Sequence, residues 1–96
     1  MSEKVDVQNV NHPGLVSRVD KAKYDDMRQA LLKVLPVEKP GMKVADAQAA
    51  LKPFLDDALF PGGAKSGWWL KTVQLDLEAK GLVGRADIKP LHIHRI

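Results

Sequence analysis

The 96 residues predict an α+β domain that is mainly helical, with three helices ahead of a short C-terminal β hairpin. Three observations carry that reading. Apolar residues recur at helical spacing in three stretches, about 21–35, 44–52 and from 64 or 66 to 80. Helix punctuation stands at their ends: Asp20 before the first, Pro36 after it and Gly81 after the third. Beyond Gly81, "LVGR" and "PLHIHRI" are short strand-like runs on either side of the turn "ADIKP".

Residues 1–19 are polar and irregular, with a turn signal, "NHPG", at 11–14. Val5 and Val7, and then 15–19, can form short strands around it, and this segment is set apart as an N-terminal arm to a domain at 20–96. In the first helix Asp20 can cap free N–H groups, while Val19 and Tyr24 suit a hydrophobic staple. Tyr24, Met27, Leu31, Val34 and Leu35 form its apolar face, and Pro36 stops it. Met42 and Val44 can supply one short strand. The second helix turns Ala47 and Leu51 inward until Pro53 interrupts it, and "FLDDALF" is expected to add a helical turn or two. After the loop "PGGAKSG" comes the third and longest helix, with Gly81 as its left-handed C′ residue. The order is that of a winged helix, a helix-turn-helix followed by a β-hairpin wing.

The composition, 45% hydrophobic and 28% charged, excludes disordered and fibrous classes. The length allows one modest core. Without cysteine there is no disulfide, thiolate ligand or thiol nucleophile. The N-terminus lacks the apolar stretch of a secretory signal, and no apolar run approaches the roughly 18 residues that cross a bilayer. A cytoplasmic protein without membrane contact is therefore expected. The net charge of +3 is unevenly spread. Residues 62–96 hold six bases against three acids, and residues 1–61 hold nine of each. Such an excess suits an anionic partner.

At about 100° per residue the third helix divides into faces. Trp69, Leu70, Val73 and Leu77 share the sector suited to a core. Lys71, Gln74 and Glu78 make a polar stripe, and Trp68, Thr72, Leu75 and Ala79 a second apolar one nearly opposite the core. Trp69 therefore points in, and Trp68 does not follow it. In a helix-turn-helix this outer side meets the major groove, where polar side chains read base edges. Here it is apolar, and three uses stay open: cover by the arm or wing, a homodimer or partner-protein contact, or DNA contact.

No set of residues converges on catalysis, and neither a cofactor nor a metal is expected. "PGGAKSG" fails the phosphate-loop pattern because alanine precedes Lys65 and Ser66. The same residues at a helix start can bind an anion, or form a plain loop in which Ser66 caps the helix. His92 and His94 alternate onto one face of a strand with no third ligand placed by the sequence, neither His12 nor Asp87. They are expected to face solvent while Leu91 and Ile93 face in. The neighbouring carboxylates Asp25 and Asp26, and Asp56 and Asp57, diverge around helical turns and make poor acid–base pairs.

The segment "VQLDLEAKGLVGR" resembles the recognition helix and first wing strand of bacterial winged-helix regulators of the multiple-antibiotic-resistance type. Leu77, Glu78, Lys80, Gly81, Leu82, Val83 and Arg85 carry that likeness. More of the chain, through "NHPG", "RVDKAKYDDMR", "LFPGGAKSGWW" and "TVQLDLEAKG", resembles a family of small bacterial proteins classed as a domain of unknown function. That resemblance implies a winged-helix-like domain of bacterial origin and brings no activity with it. The expected function is nucleic-acid binding of a transcription-regulator kind. Lys65, Ser66, Lys71, Lys80, Arg85 and Lys89 would contact the phosphates of duplex DNA. The alternative is an interaction or dimerisation module that uses the face of Trp68, Thr72, Leu75 and Ala79 for a second copy or another protein.

Overall fold

The computed structural model describes residues 3–96, so the first two residues of the expected arm lie outside it. The element order is β1 (Lys4–Gln8), β2 (Val16–Asp20), α1 (Lys21–Val34), β3 (Met42–Lys43), α2 (Val44–Leu51), α3 (Ser66–Ala79), β4 (Val83–Ala86) and β5 (His92–Arg95). Helices of 14, 8 and 14 residues account for less than half of the chain. "Mainly helical" is thus corrected to α+β with two small antiparallel sheets. One is the β1–β2 hairpin, and the other has the order β3–β5–β4.

Local chemistry sets the helix ends. The Asp20 carboxylate accepts the Lys23 N–H at 3.2 Å, and Val19 and Tyr24 are buried beside it. At the far end the Leu35 N–H bonds to the Leu31 carbonyl before Pro36 turns the chain. Pro53 lies within a 3-10 turn, Lys52–Phe54. The helical continuation expected at "FLDDALF" is reduced to one turn, in which the Asp56 carbonyl accepts from the Leu59 and Phe60 N–H groups. The Asp56 side chain binds the Ala58 N–H, and Asp57 binds the Gly62 N–H, which tightens this loop locally. At the end of α3, Gly81 has φ +76°, and the Leu82 and Gly81 N–H groups bond back to the Leu77 and Glu78 carbonyls. That pair of bonds is the Schellman pattern.

The core lies between the three helices and both sheets. Met27, Ala30 and Leu31 of α1 join Ala47 and Leu51 of α2 and Trp69, Leu70, Val73 and Leu77 of α3. Val83 and Ile93 enter from one sheet, and Val7 and Val19 from the hairpin. The N-terminal residues are therefore part of the packing. Leu77 is fully buried, so Leu77→Ala is expected to cost about 3 kcal/mol in chemical denaturation. A loss below about half a kcal/mol would contradict this packing.

The expectation of two solvent-facing histidines is overturned at His94, which is 6% exposed. β5 is the middle strand of its sheet, and His94 is in register with Gly84 on β4. A Cβ at position 84 would come within 2.8 Å of the His94 ring. The missing side chain lets the imidazole lie against the neighbouring backbone. His92, half-buried, sets its Nδ1 2.8 Å from the Pro90 carbonyl.

Candidate functional site

A buried carboxylate fixes the hairpin against α3. Asp76 is fully buried, a costly position for a charge without donors around it. Its Oδ1 accepts the Gln8 backbone N–H at 2.8 Å. Its Oδ2 accepts the Tyr24 hydroxyl and the Lys80 ammonium, the latter at 2.8 Å. One side chain thus joins β1, α1 and α3. Burial, helped by the bond to Asp76, pushes the Tyr24 hydroxyl pKa well above the ordinary tyrosine range. Sequence reasoning missed Asp76. Its available signal is an acid two helical turns after Trp69, in line with the core face, and four residues before Lys80.

The hairpin lies along the second apolar stripe of α3. Leu75 is only 8% exposed, Thr72 and Ala79 are half-buried, and Trp68 is 59% exposed. Between hairpin and helix runs a groove of about 310 Å³. Val7, Leu15 and Val19 line one wall, and Trp68, Thr72 and Leu75 the other. Ala79 borders a smaller hollow further along, beneath the loop at Val10, Pro13 and Gly14. Trp69 is 7% exposed and meets Phe60 edge to face at 6.1 Å, while Trp68 stands edge to face with Trp69 at 5.1 Å. The two indoles part as the helical geometry predicts.

The family model described as "Family of unknown function (DUF6958)" matches residues 4–93. The chain belongs to the DUF6958 family. The match spans the hairpin, all three helices and most of the second sheet, so the groove lies wholly inside the DUF6958 region. No curated protein and no solved structure matches the chain.

In this DUF6958 chain Lys71 and Arg85 line one cleft, and two of the expected phosphate contacts are already engaged by carboxylates. Lys80 is held by Asp76. Arg85 grips Glu78 through two bonds, of 2.5 and 2.9 Å, and that pairing raises the guanidinium pKa further. Ser66 is buried, with its Oγ accepting from Gln48 Nε2 at 3.3 Å, so it does not cap the helix. The cap position falls to Lys65, in a left-handed conformation at φ +61° and without a side-chain bond to the helix. Lys65, Lys71 and Lys89 are exposed, with no ion pair among the described residues. Lys65 borders a hollow with Lys23 and Trp69, whereas Lys71 lines the hairpin groove.

The polar stripe of α3 is partly covered. Gln74 is buried and bonds to Glu78, whose side chain is covered beneath Arg85, leaving Lys71 as the exposed member. Among the described residues no three His, Cys, Asp or Glu side chains are grouped to hold a metal ion. No helix among them is long and apolar enough to cross a membrane. The carboxylate pairs serve locally: Asp25 meets Lys21 at 2.7 Å, and Asp26 accepts the Asp56 N–H at 2.8 Å.

Proposed function

We propose that this DUF6958 chain is a winged-helix domain and that it works as a protein-interaction module through the groove between its N-terminal hairpin and α3. The order α1–β3–α2–α3–β4–β5 supports the winged-helix assignment. So does the sheet order β3–β5–β4, in which the C-terminal hairpin pairs back onto the strand ahead of α2. The likeness of 77–85 to the multiple-antibiotic-resistance regulators supports the same assignment and a bacterial, cytoplasmic setting.

One observation carries the interaction reading. The side of α3 that would face the major groove is partly covered by β1 and β2, and the groove left open brings the exposed apolar side chains Trp68 and Leu15 (53% exposed) together, beside Lys71 and neutral polar residues. A cluster of exposed apolar side chains beside a groove marks a contact surface.

Duplex DNA is the second reading, favoured by Lys65, Lys71 and Lys89, which are exposed and have no ion pair among the described residues. The two readings part in a gel-shift titration of random duplex at low salt. No shift is expected up to high micromolar protein. Binding that weakens with salt at a log–log slope near −3, as about three neutralised phosphates require, would overturn the interaction reading.

A further inference from the structure

We infer that the groove takes the β4–β5 turn of a second copy of this chain, two copies docking reciprocally about a two-fold axis; this rests on the interaction reading above. The groove specifies its occupant by chemistry. Apolar side chains share its walls with the neutral Gln8, Asn9, Ser17 and Thr72, and among the described residues its one charged lining residue is Lys71. The cleft on the other side of Lys71 shares Leu75 and adds Arg85, again without a carboxylate in the lining. The complement is an exposed apolar side chain with a free carboxylate next to it.

The chain carries that pair at Asp87 and Ile88. Ile88 is 46% exposed, and Asp87 is exposed with no ion pair among the described residues. A tight bend, in which the Ile88 N–H bonds to the Ala86 carbonyl at 2.9 Å, holds them at the turn. Position supports the match. Arg85 and Leu91 bracket this turn, and both line the cleft that contains Lys71 and Leu75. Turn and groove therefore border one face, as an isologous contact requires, since each copy must present both halves.

Among the exposed large apolar side chains of the described residues, Val37 and Phe54 also lie near acids, and neither fits. Val37 and Glu38 are exposed, but they follow Pro36, whose carbonyl accepts the Arg95 N–H at the end of β5 remote from the turn. Near Phe54, the Asp56 and Asp57 carboxylates already bind backbone N–H groups, and Lys33 covers the Phe54 ring.

The test is sedimentation equilibrium of the full chain. The wild type is expected to show a monomer–dimer equilibrium with Kd in roughly the micromolar range, as for small transient interfaces. Lys71→Asp and Asp87→Lys each place like charges at both contacts and should weaken association about tenfold or more. An equimolar mixture of the two variants puts opposite charges at both contacts of the mixed dimer. It should recover the wild-type Kd to within about threefold, with circular dichroism confirming that both variants fold. An ion pair inside one chain would not be rescued by mixing. A chain that stays monomeric at about 1 mM, or a mixture no tighter than either variant alone, overturns the inference. A monomer that also leaves duplex DNA unshifted would overturn this inference alone and leave the groove to a different protein. Duplex binding lost in Lys71→Asp would overturn the underlying reading as well.

Discussion

Asp76→Ala is expected to lower the free energy of unfolding by about 3–5 kcal/mol, the range for breaking a buried charge cluster from one side. The substitution removes the acceptor shared by three donors on three elements. Lys80 and Gln8, both exposed residues, regain water, so most of the cost falls on the buried Tyr24 hydroxyl. Each buried donor left without an acceptor costs about 1–3 kcal/mol. Tyr24→Phe removes one donor and leaves the carboxylate two others, so it should cost about 1–2 kcal/mol. The double variant should fall short of the sum, because the two side chains share one bond. Hydrogen exchange should speed up first along β1, whose attachment to α3 runs through Gln8. A loss below about 1 kcal/mol for Asp76→Ala would mean that the hairpin is held by Val7 and Val19 alone.

The same cluster sets a limit at alkaline pH. The folded protein raises the Tyr24 pKa above its ordinary value of 10.0, chiefly through burial and then through Asp76. A group that holds its proton more tightly when folded stabilises the fold fully below the unfolded pKa and loses that contribution as pH rises beyond it. Stability should therefore decline from about pH 10 upward, and Tyr24→Phe should flatten that decline. Following unfolding between pH 8 and 12 in both proteins checks the sign.

What was legible in the sequence is what local chemistry decides. Asp20, Pro36 and Gly81 mark helix ends because capping and left-handed backbone depend on one residue and its neighbours. The opposite placement of Trp68 and Trp69 follows from the helical turn alone. What covers Thr72, Leu75 and Ala79 depends on a bond between Gln8 and Asp76, 68 residues apart, for which periodicity carries no signal. His94 is buried because a glycine faces it on the next strand, a matter of register. Lys80 and Arg85 looked like free cations because charge counts by segment ignore pairing. The spacing of Asp76 to Lys80 hinted at one of those pairs, whereas Glu78 to Arg85 needed the turn at Gly81 to bring helix and strand together.

Trp69→Ala is expected to cost about 3–5 kcal/mol of folding stability, as for other aromatic truncations in a core. Trp69 packs among the buried residues of α3 and against Phe60, and the space it would leave lies where α3 meets the loop before it. Trp68 gives the contrasting case one position away. It loses one edge-to-face contact with Trp69 on truncation, worth about 0.5–1.5 kcal/mol, and its remaining surface is largely in water. Trp68→Ala should therefore cost the fold about 1 kcal/mol while weakening self-association by tenfold or more, as aromatic anchors at interfaces do. Denaturation and sedimentation on the same two variants separate these roles. Should Trp68→Ala prove as damaging to the fold as Trp69→Ala in a chain that sediments as a monomer, Trp68 would be packing for the hairpin. The groove would then need no occupant, because the hairpin itself would be what the second apolar stripe binds.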